Sequence, residues 1–394
     1  MKYSDQMAEW LKDLGYDTFY FVGGGNIMHL TESLDRHLNA IPVIHEVAAV
    51  IAAEYHNHLA GSARALALVT AGPGITNTIT GLAGAYLESR YVLVIGGQVK
   101  TDDLSRGDAR QNGIQEVDGV TICKPLTNYS VRLDKPIAKK EFHKYAVSNK
   151  NIRKAPVFLE IPLDVQAAQY VSNIGDIVQE DEVQTMPFNE KQLAVILDML
   201  RSSQRPVFLL GGGVDIESAH CVERYAVENS IPVATTWNGA DLISSDCPVY
   251  IGRPNTWGQR SSNILIQQAD LVICLGTRLG LQQTGFNWQA FVPVGKVICI
   301  ELDSSELTKG HPNIDLPILG DCNAYINRLT EVAVNKDWET WLDFCVQTRA
   351  AIPLVEEDIN EDFEDFIAPQ GFVTALSDLM QENDVLIPRS SGSA

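Results

Sequence analysis

The sequence predicts an α/β protein with two doubly wound parallel-sheet domains followed by the start of a third. Three observations predict this fold class. Short strand-like segments alternate with helix-like segments, the strand segments are apolar on both faces, and most of them end at Gly or Pro. Strands buried on both faces are typical of parallel sheets that helices cover. The length of 394 residues exceeds one compact domain.

The first predicted domain covers residues 1–165, where the alternation is most regular. Ligands of doubly wound sheets bind at the carboxyl ends of strands, so the loops after the strands are the first places to search for a site. The predicted strands are 18–22, 41–44, 65–70, 91–96 and 156–161, and the predicted helices are 5–14, 26–38, 46–60, 74–88 and 137–148.

An acidic linker is predicted over residues 166–189, where the alternation stops. The alternation resumes in the second predicted domain, residues 190–350, which we expect to be another α/β unit. Its predicted helices are 190–202 and 216–229, and its predicted strands are 206–211, 231–235, 270–275 and 297–301.

The last segment, residues 351–394, is predicted to contain a second acidic linker and the truncated start of a third domain. A helix is expected over 371–381 and a strand over 384–388. One helix and one strand cannot bury a core of their own. The sequence therefore leads us to expect that most of a third α/β domain is missing from this chain.

The composition argues against several classes of function. Fifty acidic and thirty basic residues give a net charge of −20, which disfavours binding to nucleic acid or to anionic membrane surfaces. The seven cysteines lie far apart, several of them in apolar runs, which favours free thiols in a reducing compartment. We find neither a secretory leader nor an apolar run of about 18 residues. A cytoplasmic protein is expected.

Glu46 is the strongest candidate for chemistry, because it follows His45 at the start of an otherwise apolar helix. A structural explanation is that the carboxylate complements the helix dipole, which contributes about 0.3–1 kcal/mol. A functional explanation is a half-buried carboxylate tuned as an acid or base. Taken alone, the position favours the structural explanation, and only neighbouring loops can support the functional one.

Glycine- and amide-bearing loops at the ends of neighbouring strands provide that support. Residues 70–77 (Thr-Ala-Gly-Pro-Gly-Ile-Thr-Asn) follow one strand and open the next helix. Gly23–Gly25 follow the first strand, and another loop runs from 96 to 118. Because the carboxyl ends of parallel strands meet at one edge, these loops predict a single ligand site rather than unrelated turns.

These residues resemble the pyrimidine-binding domain of thiamine diphosphate-dependent enzymes, in particular the acetolactate synthase-like group that acts on 2-keto acids. Glu46 after His45 matches the family's catalytic glutamate, and residues 69–77 match its signature almost residue for residue. The second domain is similar to the family's central domain. Further matching segments are 97–99, 114–118, 156–165, 206–213, 269–276 and 300–303.

The resemblance implies a thiamine diphosphate-dependent enzyme that decarboxylates a 2-keto acid such as pyruvate and joins the product to a second carbonyl. Glu46 would be the catalytic residue, hydrogen-bonding a ring nitrogen of the cofactor's aminopyrimidine and promoting its imino form, which a desolvated helix start would favour. A homodimer or homotetramer is also implied. The residues that would bind the pyrimidine half are Gly23, Gly24, Gly25, Thr70, Pro73, Asn77 and Gln115.

Departures from the family pattern limit this expectation. The family holds the diphosphate and Mg²⁺ through Gly-Asp-Gly and a later Asn-Asn in a third domain, and this sequence has no Gly-Asp-Gly. We therefore expect no metal ligand in this chain, and neither tight cofactor binding nor turnover by it alone. Asn128 stands where acetolactate synthases usually carry Lys, and residues 278–285 replace their flavin-contacting stretch. These departures disfavour FAD binding and acetolactate synthesis proper, and they leave a related decarboxylase or carboligase as an open alternative.

A non-catalytic alternative is a family member that binds a nucleotide or a partner subunit through its central domain. Gly211–Gly213 follow a strand and are a candidate phosphate loop, but they lack the downstream glycine of a dinucleotide fingerprint. Asp303 is a candidate ribose contact, although a turn explains it equally well. The intact Glu46 argues against this alternative, because a decayed site has no chemical reason to retain an acid there.

Overall fold

The structure, a computed structural model, describes residues 1–107, 109–147, 153–171, 186, 188–356 and 360–387. The chain divides into two compact units, Met1–Gln184 and Thr185–Ala394. Each unit contains a six-stranded sheet, and every strand pair in both sheets is parallel. The predicted class of two parallel-sheet α/β domains is therefore confirmed.

The first unit alternates strands and helices along the chain. Its strands are β1 (Thr18–Phe21), β2 (Asn39–Pro42), β3 (Ala65–Val69), β4 (Leu93–Gln98), β5 (Tyr129–Arg132) and β6 (Val157–Pro162). Its helices are α1 (Tyr3–Asp13), α2 (Met28–Asp35), α3 (Glu46–Ala60), α4 (Pro73–Thr76), α5 (Ile79–Leu87), α6 (Gly119–Cys123), α7 (Lys139–Ala146) and α8 (Leu163–Ala167). The strand order is β2-β1-β3-β4-β6-β5.

Core packing covers this sheet on both faces. Along β3, Leu66 and Leu68 pack into the core on one face, whereas Ala65, Ala67 and Val69 pack into the core on the other. Successive side chains of a strand point to opposite faces, so a strand covered on both sides must be apolar at every position. All five residues of β3 are fully buried, which explains the uninterrupted apolar run in the sequence.

Several elements of the first unit differ from the sequence prediction: β4 begins and ends two residues later than predicted, and α6 and α8 were not predicted. β2 ends at Pro42, so the predicted strand 41–44 was placed about two residues too late. β5 was missed because it is a half-buried edge strand with polar residues. The helix predicted over 74–88 is divided into α4 and α5 at Asn77 and Thr78. The Thr78 hydroxyl donates to the Ile75 carbonyl at 2.7 Å, the local bonding by which Thr interrupts a helix.

The segment predicted as the first linker begins inside the first unit. Gln166 belongs to α8 and is fully buried, and Tyr170 is also buried, with its ring edge-on to Trp10 and tilted against Tyr3. Residues 166–170 therefore pack onto the unit rather than running over its surface. Residues 172–185 and 187 of that segment lie outside the described residues.

The second unit has the strand order β12-β11-β10-β7-β8-β9. Its strands are β7 (Pro206–Leu210), β8 (Val233–Thr235), β9 (Tyr250–Gly252), β10 (Leu271–Leu275), β11 (Lys296–Glu301) and β12 (Leu316–Leu319). Its helices are α9 (Glu190–Ser202), α10 (Ile216–Asn229), α11 (Arg260–Gln268), α12 (Leu281–Thr284), α13 (Ser304–Thr308), α14 (Cys322–Leu329), α15 (Glu339–Ala351) and α16 (Pro369–Leu379).

The helices α9 and α10 have the bounds that the sequence predicts, and both have side-chain caps. Asn189 accepts a hydrogen bond from the Lys191 backbone, and Asp215 accepts one from the Ser218 backbone. Such caps satisfy N–H groups that a helix start leaves without an intrahelical acceptor. Strands β9 and β12, the short edge strands of this sheet, were missed.

The predicted helix over 371–381 corresponds to α16, which begins and ends two residues earlier. The predicted strand over 384–388 is wrong where the structure describes it: residues 384–387 form no strand. Val385 and Ile387 are exposed, and a strand requires a neighbour that accepts and donates its backbone hydrogen bonds. Within the described parts of the chain, no helix combines the length and the apolar character that a membrane crossing requires.

Candidate functional site

The candidate site lies at the carboxyl edge of the first sheet. β1 pairs with β2 on one side and with β3 on the other, so the direction of winding reverses between β1 and β3. In doubly wound sheets, this reversal leaves a crevice beside the strand ends where ligands bind. The glycine loop after β1 and the glycine loop after β3 are therefore placed at the two walls of one crevice.

Glu46 is the first residue of α3 and is buried, with 8% of its surface exposed. His45 caps the helix by accepting a hydrogen bond from the Val47 backbone at 3.3 Å. The Glu46 Oε2 accepts a hydrogen bond from Asn77 Nδ2 at 2.9 Å. No residue in the described ranges donates to the other oxygen, Oε1, which faces Gly74. Oε2 therefore fixes the side chain through Asn77, and Oε1 is available as a hydrogen-bond acceptor.

Thr70 lies between two glycines at the end of β3. A Cβ atom at Gly24 would overlap the Thr70 side chain, and a Cβ at Gly74 would lie 3.0 Å from Thr70 Cγ2 and 3.6 Å from Glu46 Oε1. The Thr70 hydroxyl oxygen is buried and has no hydrogen-bond partner in the described part of the chain. A buried polar atom without a partner costs about 1–3 kcal/mol, so a ligand that bonds to this hydroxyl would recover that energy.

The loop that carries Gln115 contacts the loop after β3. Gly72 has a φ of +65° and Gln115 a φ of +60°, a left-handed conformation that glycine adopts freely and other residues adopt rarely. A Cβ atom at Gly72 would overlap the backbone carbonyl of Gln115. The absence of a side chain at Gly72 therefore lets the two loops meet, and it brings Gln115 beside Pro73.

The remaining predicted residues occupy less constrained positions. Gly23 and Gly25 belong to the loop after β1, but no atoms lie within 4 Å of a Cβ built at either residue. Pro73 is exposed at the first position of α4, where its missing N–H has no intrahelical acceptor to lose. The structure thus brings Glu46, Asn77, Thr70, Gly24 and Gln115 together and leaves open space beside Gly23 and Gly25.

Gln166 and Glu116 hold these loops in place. The sequence reasoning did not single out either residue. The buried Gln166 donates from Nε2 to the carbonyls of Asn26 and Ile161, each at 2.8 Å. A Cβ atom at Gly97 would overlap the Asn26 carbonyl. These contacts fix the loop after β1. The only sequence signal for Gln166 was an amide side chain directly after the matching segment 156–165.

Glu116 fixes the other loop. Burial acts to raise its pKa, but hydrogen bonds from the backbone N–H groups of Asn112, Ser105 and Gly113 outweigh burial and lower the pKa to about 2. The distances from Glu116 oxygens to these nitrogens are 2.8, 2.7 and 3.1 Å. Glu116 is therefore an ionised structural carboxylate that shapes the loop before and after Gln115.

Two family models match this chain. One is the thiamine pyrophosphate enzyme N-terminal TPP binding domain, over residues 1–122, and the other is the thiamine pyrophosphate enzyme central domain, over residues 193–329. The chain belongs to the thiamine pyrophosphate enzymes. The first model covers Glu46, Thr70 and Asn77, so the crevice lies within the part of the chain that defines the family's cofactor-binding domain.

Several relatives of this chain are acetolactate synthase large subunits. The chain is 30% identical to a probable acetolactate synthase large subunit of Methanocaldococcus jannaschii, over 98% of this chain and 65% of that protein. It is 29% identical to the acetolactate synthase large subunit of Lactococcus lactis, over 98% and 66%. It is 30% identical to the isozyme 2 large subunit of Escherichia coli, over 87% and 61%. The chain thus spans less than two thirds of each relative.

In the second unit, backbone atoms of the protein itself occupy the space beside the corresponding glycines. The Gly211 N–H donates to the Leu275 carbonyl at 2.9 Å, and the Gly213 N–H donates to the Gly276 carbonyl at 3.0 Å. Asp303 caps α13 by accepting from the Ser305 backbone at 2.9 Å. These groups are used in packing and capping, so neither the phosphate loop nor the ribose contact that the sequence suggested gains support. Among the described residues, no three His, Cys, Asp or Glu side chains are grouped as metal ligands.

Proposed function

We propose that this chain binds the pyrimidine half of thiamine diphosphate and takes part in acetolactate synthase-like decarboxylation and carboligation of 2-keto acids. The observation that carries this proposal is the Glu46 carboxylate, which is buried, fixed through one oxygen by Asn77, and open at the other oxygen toward the Gly74 side of the crevice. The relatives named acetolactate synthase large subunits support the reaction class.

We propose that the crevice accepts a flat, polar-edged ring. Gly24 and Gly74 let the backbone lie directly against the Thr70 side chain, where an added Cβ atom would overlap or crowd it. The unpartnered Thr70 hydroxyl is a hydrogen-bonding group that a ring substituent would satisfy. We propose that the pyrimidine is held by Thr70, Pro73, Asn77 and Gln115. The residues Gly23, Gly24 and Gly25 would form the opposite wall.

When bound, thiamine diphosphate supplies the carbon nucleophile that the decarboxylation of a 2-keto acid requires. Glu46 would hold and exchange a proton at Oε1, while the Asn77 hydrogen bond to Oε2 keeps the carboxylate in one orientation. Burial of the carboxylate strengthens any hydrogen bond that Oε1 makes, because little water competes for it. The chain thus supplies proton exchange and positioning.

The remaining parts of the proposal concern groups that these residues do not hold. We propose that Mg²⁺ and the diphosphate are bound by a Gly-Asp-Gly and Asn-Asn segment of the family's third domain. FAD is not proposed, because residues 278–285 depart from the flavin-contacting pattern. A cytoplasmic homodimer or homotetramer acting on pyruvate is proposed, with residues 1–165 as the pyrimidine-binding domain and 190–350 as the central domain.

The experiment is a turnover assay of the protein encoded by the complete reading frame. Pyruvate is supplied with thiamine diphosphate and Mg²⁺, and carbon dioxide and acetolactate are both quantified. Release of carbon dioxide that requires the cofactor, with acetolactate as product, supports the proposal. Cofactor-dependent decarboxylation without acetolactate would support the cofactor and contradict the carboligation. No cofactor-dependent turnover, together with no thiamine diphosphate binding, would contradict the whole proposal.

A further inference from the structure

Glu160 is a carboxyl group in the interior of the first unit, on strand β6. Its side chain is fully buried, and β6 lies between β4 and β5 in the sheet. No part of the proposed chemistry uses this residue. An ionised carboxyl group at such a position destabilises the fold unless its oxygens are paired. The groups around Glu160 therefore indicate its role.

A single amide side chain connects Glu160 to the loop of the candidate site. Gln98 Nε2 donates to Glu160 Oε1 at 3.0 Å and to the Val117 carbonyl at 2.9 Å. The Gln98 Oε1 is already committed, because it accepts from the Val99 backbone at 2.9 Å. A Cβ atom at Gly119 would lie 2.6 Å from Glu160 Oε1. The carboxyl and amide groups therefore hold residues 117–119 against β4 and β6.

Residues 117–119 directly follow the part of the loop that reaches the site. Gln115 has a left-handed backbone and contacts Gly72, and only Glu116 separates it from Val117. A shift of Val117 would therefore move Gln115 relative to the loop after β3. The Gln98–Glu160 pair thus acts on the crevice through the backbone between Gln115 and Val117. Among the described residues, the structure shows no contact between Glu160 and the site residues.

The second oxygen of Glu160 is poorly compensated. Oε2 lies 3.5 Å from Arg132 Nη1, an ion-pair distance, but it accepts no hydrogen bond from the described residues. Burial raises the pKa of Glu160 to about 7, the Arg132 charge and the hydrogen bonds from Gln98 and the Gly119 backbone oppose that rise, and Asp118 adds to it. Cys123 also faces this carboxyl group, and burial raises the pKa of its thiol to about 12. Glu160 is therefore the group here that titrates near neutrality.

We propose that Gln98 and Glu160 form a buried positioning pair for Gln115, and that loss of the Glu160 proton loosens the segment 117–119. The sign follows from linkage. A carboxyl whose pKa is higher in the closed segment than in water binds its proton more tightly when closed, so rising pH favours opening. With the ordinary value of 4.5 and the raised value of about 7, the opening constant increases by up to about tenfold between pH 6 and pH 8.

The test is hydrogen exchange of residues 113–119, measured without cofactor on the whole protein at pH 6 and pH 8 and corrected for intrinsic exchange. In the wild type, protection should fall by up to about tenfold between these values. Glu160→Gln replaces the carboxyl group by a neutral one of the same shape, so protection should stay high at both values. Gln98→Met removes the hydrogen bonds to Glu160 and Val117, so protection should be low at both.

Glu54→Gln is the matched control. Glu54 is also buried, pairs with Arg90 at 2.9 Å, and has a pKa that burial raises. It lies on α3, and none of its hydrogen bonds or ion pairs joins residues 113–119. Its replacement should leave the wild-type pH dependence of the segment intact. A purely structural role for Glu160 would instead make Glu160→Gln and Gln98→Met lower protection alike.

The inference rests on the proposed function only in the role it gives to Gln115, and the two fail separately. If Glu160→Gln lowers protection at pH 8, or if the wild type shows no pH dependence, the positioning inference is overturned. If exchange behaves as expected but the wild type binds no thiamine diphosphate, the proposed function fails. The inference that Gln98 and Glu160 position the loop still stands in that case. Should Gln98→Met not fold, the comparison still decides, because only the wild type should lose protection as the pH rises from 6 to 8.

Discussion

The two units carry similar glycine-rich loops at the ends of their strands but use them differently. In the first unit, Gly24 and Gly74 border the unpartnered hydroxyl of Thr70. In the second unit, Gly211 and Gly213 pack onto the backbone of the loop after β10, with Gly276 as their neighbour. The same residue type thus lies against a side chain with an unpartnered hydroxyl in one unit and against another strand-end loop in the other.

The carboxylates at the strand ends show the same difference. Asp303 uses its carboxylate to cap α13, whereas Glu46 lies one position after the cap of α3 and leaves Oε1 available. Glycine and acid at strand ends are therefore insufficient evidence of a site. An incompletely satisfied polar group beside the glycines is the feature that separates the two units.

The largest expected effect separates these two acids. In the protein encoded by the complete reading frame, Glu46→Gln should lower turnover of pyruvate by about 100-fold or more, because it removes the acid/base group. Asp303→Asn should leave turnover within about twofold, since Asn also accepts at an N-cap. Steady-state assays with thiamine diphosphate and Mg²⁺ measure both. Equal losses in the two variants would remove the functional distinction between the units.

The next effect concerns the space beside Thr70. Gly24→Ala should lower the free energy of unfolding by about 1–3 kcal/mol, because the added methyl group overlaps the Thr70 side chain. Gly23→Ala is the control, since its methyl group meets no atoms within 4 Å, and a change within about 0.5 kcal/mol is expected. Denaturant unfolding compares the two. If Gly24→Ala is as stable as Gly23→Ala, the Thr70 side chain moves aside for the added methyl group at little cost in free energy.

Two threonines on either side of α4 should respond with opposite signs. Thr70→Val should raise the free energy of unfolding by up to about 1 kcal/mol, because it removes a buried hydroxyl that lacks a partner. Thr78→Val should lower it by about 0.5–1.5 kcal/mol, because the Thr78 hydroxyl bonds to Ile75 at 2.7 Å. Thermal unfolding without cofactor measures both. Destabilisation by Thr70→Val would mean that its hydroxyl is already satisfied.

The smallest expected effect is the acid response of Glu116. Its pKa is lowered to about 2, so its contribution to stability is complete above its ordinary value of 4.5 and is lost as the pH falls toward 2. The difference in unfolding free energy between wild type and Glu116→Gln should therefore shrink from pH 6 to pH 3. We expect less than about 1 kcal/mol, because solvent screens this carboxylate. A difference that grows on acidification would contradict its role in the loop.

Most of the site was predictable because its residues are neighbours of strand ends. The strands β1 and β3 have apolar sequences that identify them, and a parallel sheet brings their carboxyl ends to one edge. Glu46, Thr70 and Asn77 could thus be grouped by their positions along the chain. The supporting residues Gln166 and Glu160 were not singled out. Glu160 lies within an apolar strand and Gln166 at the start of the predicted linker, and in neither case does the sequence show what the polar group contacts.

The sequence by itself determined the α/β class, the strand-end loops and the family signature, because these depend on periodicity and on residues close together in the chain. The tertiary structure alone decided which polar groups have partners. The hydroxyl of Thr70 is buried without a partner among the described residues, whereas the amide of Gln98 and the carboxyl group of Glu160 meet across 62 positions of the chain, so long-range packing sets what each group contacts. Burial without a partner is a property of the packed chain, and no local pattern of residues encodes it.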